Sequence, residues 1–275
     1  MTVAQESARI FAANRAVGRI ELAAQYGRGI TRPARVHEAG SLRVRFPGAR
    51  KRELEAVVIN TAGGITGGDR FDLDIAAGEA ARLTVTSAAA EKVYRSLGPD
   101  AHIRIRLTAG AAASLAWLPQ ETILFDGARL ARTIDVELAA DARLIMVEAL
   151  VLGRTGMGEA VEHGLFADRW RVRRGGALIY AESVRLDGAI AAKLGEPAVA
   201  NGGAAVATVL VVPGDADALA PLRALKRLRG EVATSAWNGI AVARLCARDG
   251  AALRYDLTTL IATLRGGKLP HCWFH

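Results

Sequence analysis

The chain has 275 residues, of which 51% are hydrophobic, so it can bury a sizeable core. It contains no run of about 18 apolar residues, which excludes a transmembrane helix, and its N-terminus lacks the basic and apolar segments of a secretory signal. Two cysteines exclude a disulfide framework and favour a reducing compartment, so we expect a cytoplasmic protein without a membrane partner.

The charge balance is basic, with 36 Lys and Arg against 28 Asp and Glu and a formal net charge of +8. Such a balance raises nucleic acid as a partner. However, the basic residues alternate with apolar ones, as in residues 42–46 and 103–107, which is typical of solvent-exposed strand faces. Aromatic residues make up 5% of the chain, too few for a base-stacking surface. We therefore expect no nucleic-acid partner, while a docking surface for an acidic protein stays open.

The first distinctive element is a glycine-rich loop, NTAGGITGGDRFDLDI, at residues 60–75. Glycine-rich loops that bind phosphate also need a lysine with a Ser or Thr, or a helix after the loop. Here apolar and polar residues alternate strictly, so a strand follows the loop, and its aspartates would repel an anion. Asp69 lies where the loop enters the strand. It either caps the turn or presents a carboxylate at the end of the stack described next.

Four strand–turn–strand units follow, each with a tight turn of Ala, Gly or Asp. The second strand of each unit begins at a leucine: Leu83, Leu115, Leu144 and Leu178, at intervals of about 30 residues. Each unit has one apolar face that it cannot bury alone, so neighbouring units must stack. The pattern predicts a mainly β fold, a layered, solenoid-like (β-helix-like) stack of strands, with a sandwich of irregular meanders as the alternative.

Two short helices are predicted near the C-terminus. Residues 214–230 have a helical pattern with Asp215 as N-cap and Gly230 as the stop, and residues 255–267 form a second helix that ends at two glycines. Between them, residues 236–249 read as a strand with an Asn-Gly turn signal. No linker rich in Pro or Ser interrupts the chain. We therefore predict a single domain over residues 1–275, with residues 1–13 as a flexible segment.

Two carboxylates occupy positions that predict an interior location. Glu148 and Glu182 each lie four residues after a repeat leucine, and residues i and i+4 of a strand share a face. Units stacked in register, with strands roughly 4.8 Å apart, would bring the two glutamates close together. A buried carboxylate is costly unless it is paired, protonated or metal-bound. The pattern therefore indicates either an arginine partner or a strand end turned to water, or a polar interior path for a divalent cation.

The tail HCWFH holds a second candidate metal site: His271, Cys272 and His275 are suitable ligands for Ni²⁺ or Zn²⁺. These residues follow two glycines and Pro270, so no preformed helix is expected there. The sequence suggests no Ser-His-Asp grouping, and we assign no catalytic residue. Glu148 and Glu182 could in principle form the carboxylate pair of a glycosidase, so a carbohydrate-active β-solenoid enzyme is the alternative function.

Five segments of the chain carry a family pattern in one order and spacing. They are GGITGGDRFDLDI (residues 63–75), TSAAAEKVYRS (86–96), WLPQETILFDGARL (117–130), EALVLGRTGMGE (148–159) and DRWRVRRGGALIYAESVRLDG (168–188). Together they resemble the family of the urease accessory protein UreD, also called UreH, over nearly the full chain. The resemblance implies a largely β, solenoid-like fold with a small helical part.

The resemblance also implies a maturation chaperone without enzymatic turnover. Family members bind apo-urease and the accessory protein UreF, which recruits the GTPase UreG, and the complex delivers nickel through an internal passage in UreD. Carried over by position, Asp69, Glu91, Glu148 and Glu182 fall within the matched segments and are the candidate residues of that passage. Nickel is then a transient cargo, and no stably bound cofactor is expected.

Overall fold

The computed structural model describes residues 14–48, 52–267 and 269–274. Residues 1–13, for which flexibility is predicted, and His275 lie outside the described residues. The described residues form mostly strands, arranged as a solenoid-like stack of about four turns, which confirms the predicted fold class. The assignment of the whole chain to a single domain stays a prediction.

The strands of the described residues, in chain order, are β1 (Val17–Gly27), β2 (Ile30–Gly40), β3 (Leu42–Arg45), β4 (Glu53–Asn60), β5 (Arg70–Ala77), β6 (Arg82–Ser87), β7 (Glu91–Val93), β8 (Ala101–Ala109), β9 (Ser114–Leu118), β10 (Thr122–Leu124), β11 (Arg129–Leu138), β12 (Arg143–Leu152), β13 (His163–Arg174), β14 (Ala177–Ala189), β15 (Ala205–Val212), β16 (Glu231–Trp237) and β17 (Ile240–Ala247). The helices are α1 (Ile190–Gly195), α2 (Ala216–Arg223) and α3 (Gly250–Leu264).

The strands form two sheets that face each other. The first has the order β14-β13-β11-β8-β5-β1-β2, parallel from β13 to β1 with antiparallel edge strands. The second has the order β16-β17-β15-β12-β9-β6-β4-β3 and is parallel from β12 to β4. The short strands β7 and β10 add a parallel ladder beside the end of β12. Because successive parallel strands alternate between the sheets, the chain winds as coils.

Three of the four predicted units stack as expected. Leu83, Leu115 and Leu144 lie directly opposite one another on β6, β9 and β12, and each is only 1% exposed. The turns before them stack as well, through three fully buried alanines: Ala81, Ala113 and Ala142. Backbone hydrogen bonds join the first two turns and the last two, at 2.8 Å each, because small residues let adjacent turns approach closely.

The prediction for the fourth unit is wrong. After β13 the chain does not cross to the second sheet but turns back through Gly175 and Gly176, both at positive φ, into the antiparallel hairpin β13–β14. A β-bulge after Val172 shifts the register, so that Tyr180 faces the interior and Leu178 is 52% exposed. The two predicted glutamates are therefore not stacked on neighbouring strands. Glu182 lies on the first sheet, and Glu148 lies on the second.

The two C-terminal helices are present with different bounds. Asp215 caps α2, accepting from the backbone N–H of Ala218 at 2.8 Å, but the helix ends at Arg223 and not near Gly230. Helix α3 begins at Gly250, five residues earlier than predicted, because Asp249 caps it. The Asn-Gly signal is confirmed as the turn between β16 and β17, and α1 was not predicted. None of the helices in the described ranges has the length and apolar character needed to cross a bilayer.

Strand β12 lies at the centre of the fold and is buried on both faces. Its Leu144, Met146 and Glu148 point between the sheets, whereas Val147 and Ala149 pack on the outer side, in the core beneath α2 and α3. A strand with two buried faces carries a nearly continuous apolar run, which explains the sequence RLIMVEALVL. Glu148, the charged side chain in the buried part of that run, is held between the sheets.

The outer face of the first sheet is charged and paired. Arg104 Nε lies 2.7 Å from Asp72 Oδ1 on the neighbouring strand, and Arg106 Nε lies 2.5 Å from Asp74 Oδ1. These arginines belong to the alternating stretch at residues 103–107. Such cross-strand pairs are those of a solvated sheet face, as the alternation predicted.

Candidate functional site

Three charged side chains meet in the interior between the sheets. Arg132 comes from β11, Glu148 from β12 and Asp168 from β13, and each is 6% exposed. Each side chain lies on the face of its strand that points between the sheets. Arg132, for example, shares that face of β11 with the fully buried Leu130 and Ile134. Arg132 and Asp168 are direct partners in the parallel register of the first sheet, while Glu148 faces them from the second.

The cluster is completely hydrogen-bonded. Arg132 holds Asp168 through two contacts, Nε to Oδ1 at 3.0 Å and Nη2 to Oδ2 at 2.6 Å, and its Nη1 donates to Oε2 of Glu148. The indole of Trp117 donates to Oε1 of Glu148 at 2.7 Å, and that of Trp170 donates to Oδ2 of Asp168 at 2.9 Å. All four carboxylate oxygens thus accept, as ionised carboxylates do. This satisfaction is the condition under which buried charges are tolerated.

The cluster holds two acidic side chains, Glu148 and Asp168, against one guanidinium. Burial alone would lower the pKa of Arg132, but Asp168 and Glu148 outweigh burial and raise it, so the guanidinium stays charged. Burial raises the pKa of Glu148, and the nearby Arg132 opposes that rise. Burial therefore favours the neutral form of Glu148, whereas the guanidinium of Arg132 favours the carboxylate.

Two cavities meet at this cluster. The larger, of about 450 Å³, lies toward β14 and β17 and is lined by Asp168, Glu182 and Arg244 among others. The smaller, of about 90 Å³, lies toward β7 and is lined by Glu91. Arg132 and Glu148 line both cavities. Three of the four candidate passage residues, Glu91, Glu148 and Glu182, therefore line these two adjoining cavities.

Glu182 lies where the larger cavity approaches solvent. Its Oε1 accepts from Arg244 Nη1 at 2.7 Å, and its Oε2 accepts from the hydroxyl of Tyr180. The Glu182 side chain is 8% exposed and that of Arg244 is 54% exposed, so the pair spans from the interior to the surface. Burial, together with the hydrogen bond to Glu182, raises the pKa of Tyr180, which therefore stays a hydroxyl donor.

Glu91 faces the smaller cavity from β7. Its Oε1 accepts a hydrogen bond of 3.1 Å from the side-chain amide of Asn60. Burial raises the pKa of Glu91 from 4.5 to about 7, the Asn60 hydrogen bond opposes the rise, and the charge of Asp69 adds to it. Near neutral pH, both the protonated and the ionised form of this carboxyl group are therefore populated.

Asp69 has a structural position. It is 3% exposed, and its two oxygens accept from the backbone N–H groups of Ala16 and Thr66, each at 2.8 Å. It thereby closes the glycine turn, in which Gly68 has a φ of +89°, and ties that turn to the start of β1. Asp69 is not among the residues that line the two cavities. The geometry thus corresponds to the turn-capping interpretation.

The C-terminal tail is anchored on the second sheet through one aromatic residue. Residues His271–Phe274 form a short 3-10 helix, and Trp273 is 3% exposed. Its indole N–H lies 3.1 Å from both Thr86 Oγ1 and the carbonyl oxygen of Leu118. The tail is therefore held by packing and hydrogen bonds.

Two of the three predicted tail ligands can be placed. The backbone N–H of His271 donates to Glu55 at 3.0 Å, the carbonyl of Cys272 accepts from Gln120 at 3.2 Å, and His275 lies outside the described residues. Burial raises the pKa of the Cys272 thiol, which disfavours the thiolate. Across residues 14–48, 52–267 and 269–274, no three His, Cys, Asp or Glu side chains are grouped to hold a metal ion.

The sequence analysis did not predict three residues of the site. Arg132 pairs with Glu148 and Asp168, and Arg244 pairs with Glu182. Arg132 and Asp168 lie in the first strands of their units, whereas the repeat leucines that predict Glu148 and Glu182 lie in the second strands. The sequence does contain a signal for both residues. Arg132 in RLARTIDVEL and Asp168 in LFADRWRV are charged residues at positions where the alternation calls for apolar ones. Arg244 occupies the one exposed position within the otherwise buried run of β17 and gives no such signal.

Comparison with known proteins settles the family. The family model described as UreD urease accessory protein matches residues 16–273, from the approach to β1 through the tail anchor. The chain belongs to the UreD family. A urease accessory protein UreD of Rhodopseudomonas palustris (strain BisB18) is 56% identical over 268 residues, covering 97% of each chain. The urease accessory protein UreD 3 of Bradyrhizobium sp. (strain BTAi1) is 53% identical over 273 residues, covering 99% of this chain and 98% of its own length.

This result confirms the resemblance carried by the five sequence segments. The UreD match spans both sheets, the two cavities and the Arg132–Glu148–Asp168 cluster. The relatives named above are all described as accessory proteins.

Proposed function

We propose that the protein is a urease accessory protein that acts without enzymatic turnover. In this proposal it is a cytoplasmic chaperone scaffold that binds UreF, and through UreF the GTPase UreG, and delivers nickel to apo-urease. Family membership and the names of the relatives support the accessory role. The partners, the cargo and the location extend that role and are the parts to be tested.

The observation that carries the nickel proposal is the internal space lined by Glu91, Glu148 and Glu182. Carboxylate oxygens are ligands for divalent cations, and nickel is a borderline metal that accepts them. A cargo ion must also be released, so widely spaced carboxylates suit transport better than a closed ligand set. At the middle of the route, the cluster of Arg132, Glu148 and Asp168 has more acidic than basic side chains, which suits a cation better than an anion.

The experiment measures nickel loading of apo-urease in a reconstitution with UreF, UreG and GTP. The variants are Glu148→Gln and Glu182→Gln, since glutamine removes the charge but keeps an oxygen acceptor for Arg132 and Arg244. We expect severalfold slower loading with unchanged co-purification with UreF. The matched control is Glu137→Gln, a carboxylate 54% exposed on the outer sheet face. Folded glutamine variants that load nickel as fast as the wild type would contradict the passage.

The carbohydrate-active alternative finds less support in the geometry. Glu148 and Glu182 each have an arginine partner, and Glu148 also accepts from an indole, so neither is free to act as an acid or nucleophile. Hydrolysis measured on a panel of polysaccharides tests this alternative directly. Activity lost in both glutamine variants would favour it over the accessory function.

A further inference from the structure

The linings of the two cavities have two residues in common, Arg132 and Glu148. Their ion pair lies where the two linings meet. An ion that moves from the Glu91 side to the Glu182 side must pass this contact. Of the two partners in this contact, Arg132 has the longer side chain with more rotatable bonds, so it is the partner that can move.

We propose that Arg132 is the gate of the passage. Its guanidinium occupies the cation position on Glu148, and a divalent ion crosses only by taking that position from it. This inference rests on the proposed function, because it assumes that an ion travels through the interior. It adds the residue that controls the passage and the class of ion that can open it.

The contacts of Arg132 are asymmetric, which defines the movement. Two parallel hydrogen bonds hold it on Asp168, whereas one holds it on Glu148. Bidentate pairs are the stronger and more rigid kind, so the contact with Glu148 is the one that opens. Trp117 keeps Glu148 in place from the other side. Phe166 lines the larger cavity, and its ring centroid lies 5.7 Å from the guanidinium, which gives the arginine an apolar surface toward that cavity.

The charges explain why the gate stays closed without an ion. If Arg132 left Glu148 with nothing in its place, a buried carboxylate would lose its counter-ion, which is strongly unfavourable. A cation that arrives from the Glu91 side supplies the replacement. At equal distance a divalent ion attracts the carboxylate about twice as strongly as a monovalent one. Once an ion has lost part of its water in the cavity, this attraction favours displacement of Arg132 by a divalent cation over displacement by a monovalent one.

The test uses two variants of the cluster. If Arg132 and Asp168 had only a structural role, both variants would slow nickel loading, whereas the gate predicts opposite changes. Asp168→Asn keeps the arginine and removes its stronger partner, so Arg132 binds Glu148 more tightly, and we expect severalfold slower nickel loading. Arg132→Gln combined with Asp168→Asn removes one charge of each sign. It keeps the net charge of the cluster but has no guanidinium, and we expect loading severalfold faster than the wild type at limiting nickel.

Thermal unfolding and co-purification with UreF establish that each variant is folded. If the double variant does not fold, Arg132→Lys replaces it, since lysine keeps the charge but holds one carboxylate at a time, and faster loading is again expected. Unchanged or slower loading by the folded variant overturns the gate. Glu148→Gln and Glu182→Gln run in parallel: if they are slow, only the gate has failed, whereas wild-type loading by both means that the passage itself is wrong.

Discussion

Replacement of Glu91 by glutamine tests the electrostatics of the smaller cavity through stability. An unfolded glutamate ionises near pH 4.5, whereas burial holds the pKa of Glu91 at about 7 in the folded protein. Below pH 4.5 both states bind the proton. Between these values the unfolded state has lost the proton that the folded state keeps, so the free energy of unfolding falls by about 1.4 kcal/mol per pH unit. The stabilisation is lost completely as the pH rises above 7.

The complete loss in the free energy of unfolding is up to about 3 kcal/mol, and partial exposure of Glu91 reduces it. We therefore expect the free energy of unfolding to fall by about 2 kcal/mol between pH 5 and pH 8. Glu91→Gln does not titrate. Urea denaturation at several pH values should show the variant gaining stability relative to the wild type as the pH rises. The exposed Glu137→Gln should show no such trend. A difference between wild type and Glu91→Gln that is the same at pH 5 and pH 8 would refute the raised pKa.

Two further predictions concern the stacked coils and the tail. Leu144→Ala should lower the free energy of unfolding by about 2–5 kcal/mol, because it empties a buried position in the leucine stack. Leu178→Ala should change it by less than about 0.5 kcal/mol, and equal effects in urea denaturation would contradict the hairpin at β13–β14. Trp273→Ala should cost about 3–5 kcal/mol. Trp273→Phe should cost less, since it keeps a six-membered ring in the pocket and loses the five-membered ring with its N–H donor. A cost for Trp273→Ala near zero would mean that the tail is not anchored.

The stacking of the coils could be predicted because it rests on local chemistry that repeats. Small residues before Leu83, Leu115 and Leu144 permit tight turns, and an alternating strand follows each turn. Period and turn type together determine that neighbouring units lie in register, whatever the remaining sequence. These are properties that a single sequence displays openly.

The fourth unit could not be separated from the others on the same basis. Gly175 and Gly176 resemble the other small-residue turns, but both adopt positive φ and produce a two-residue hairpin. Whether a strand after such a turn crosses to the opposite sheet or pairs beside its predecessor depends on which edge is unpaired. That depends on tertiary structure. The helix bounds failed for a related reason, because Asp249 begins α3 before its apolar periodicity is visible.

The alternation of inward and outward side chains along a strand predicts only part of the candidate site. This alternation predicts that Glu148 points inward. The same rule, applied to the first strands of the units, also predicts inward positions for Arg132 and Asp168. It does not give their pairing, since Arg132 and Asp168 meet through the register of β11 and β13, and Glu148 reaches them from the opposite sheet. In the second sheet, the antiparallel register places Glu148, Thr208 and Arg244 side by side across β12, β15 and β17. The Arg132–Glu148–Asp168 cluster lies in the later coils, where the linings of the two cavities meet, so this internal space is a property of how the coils stack and not of any one segment.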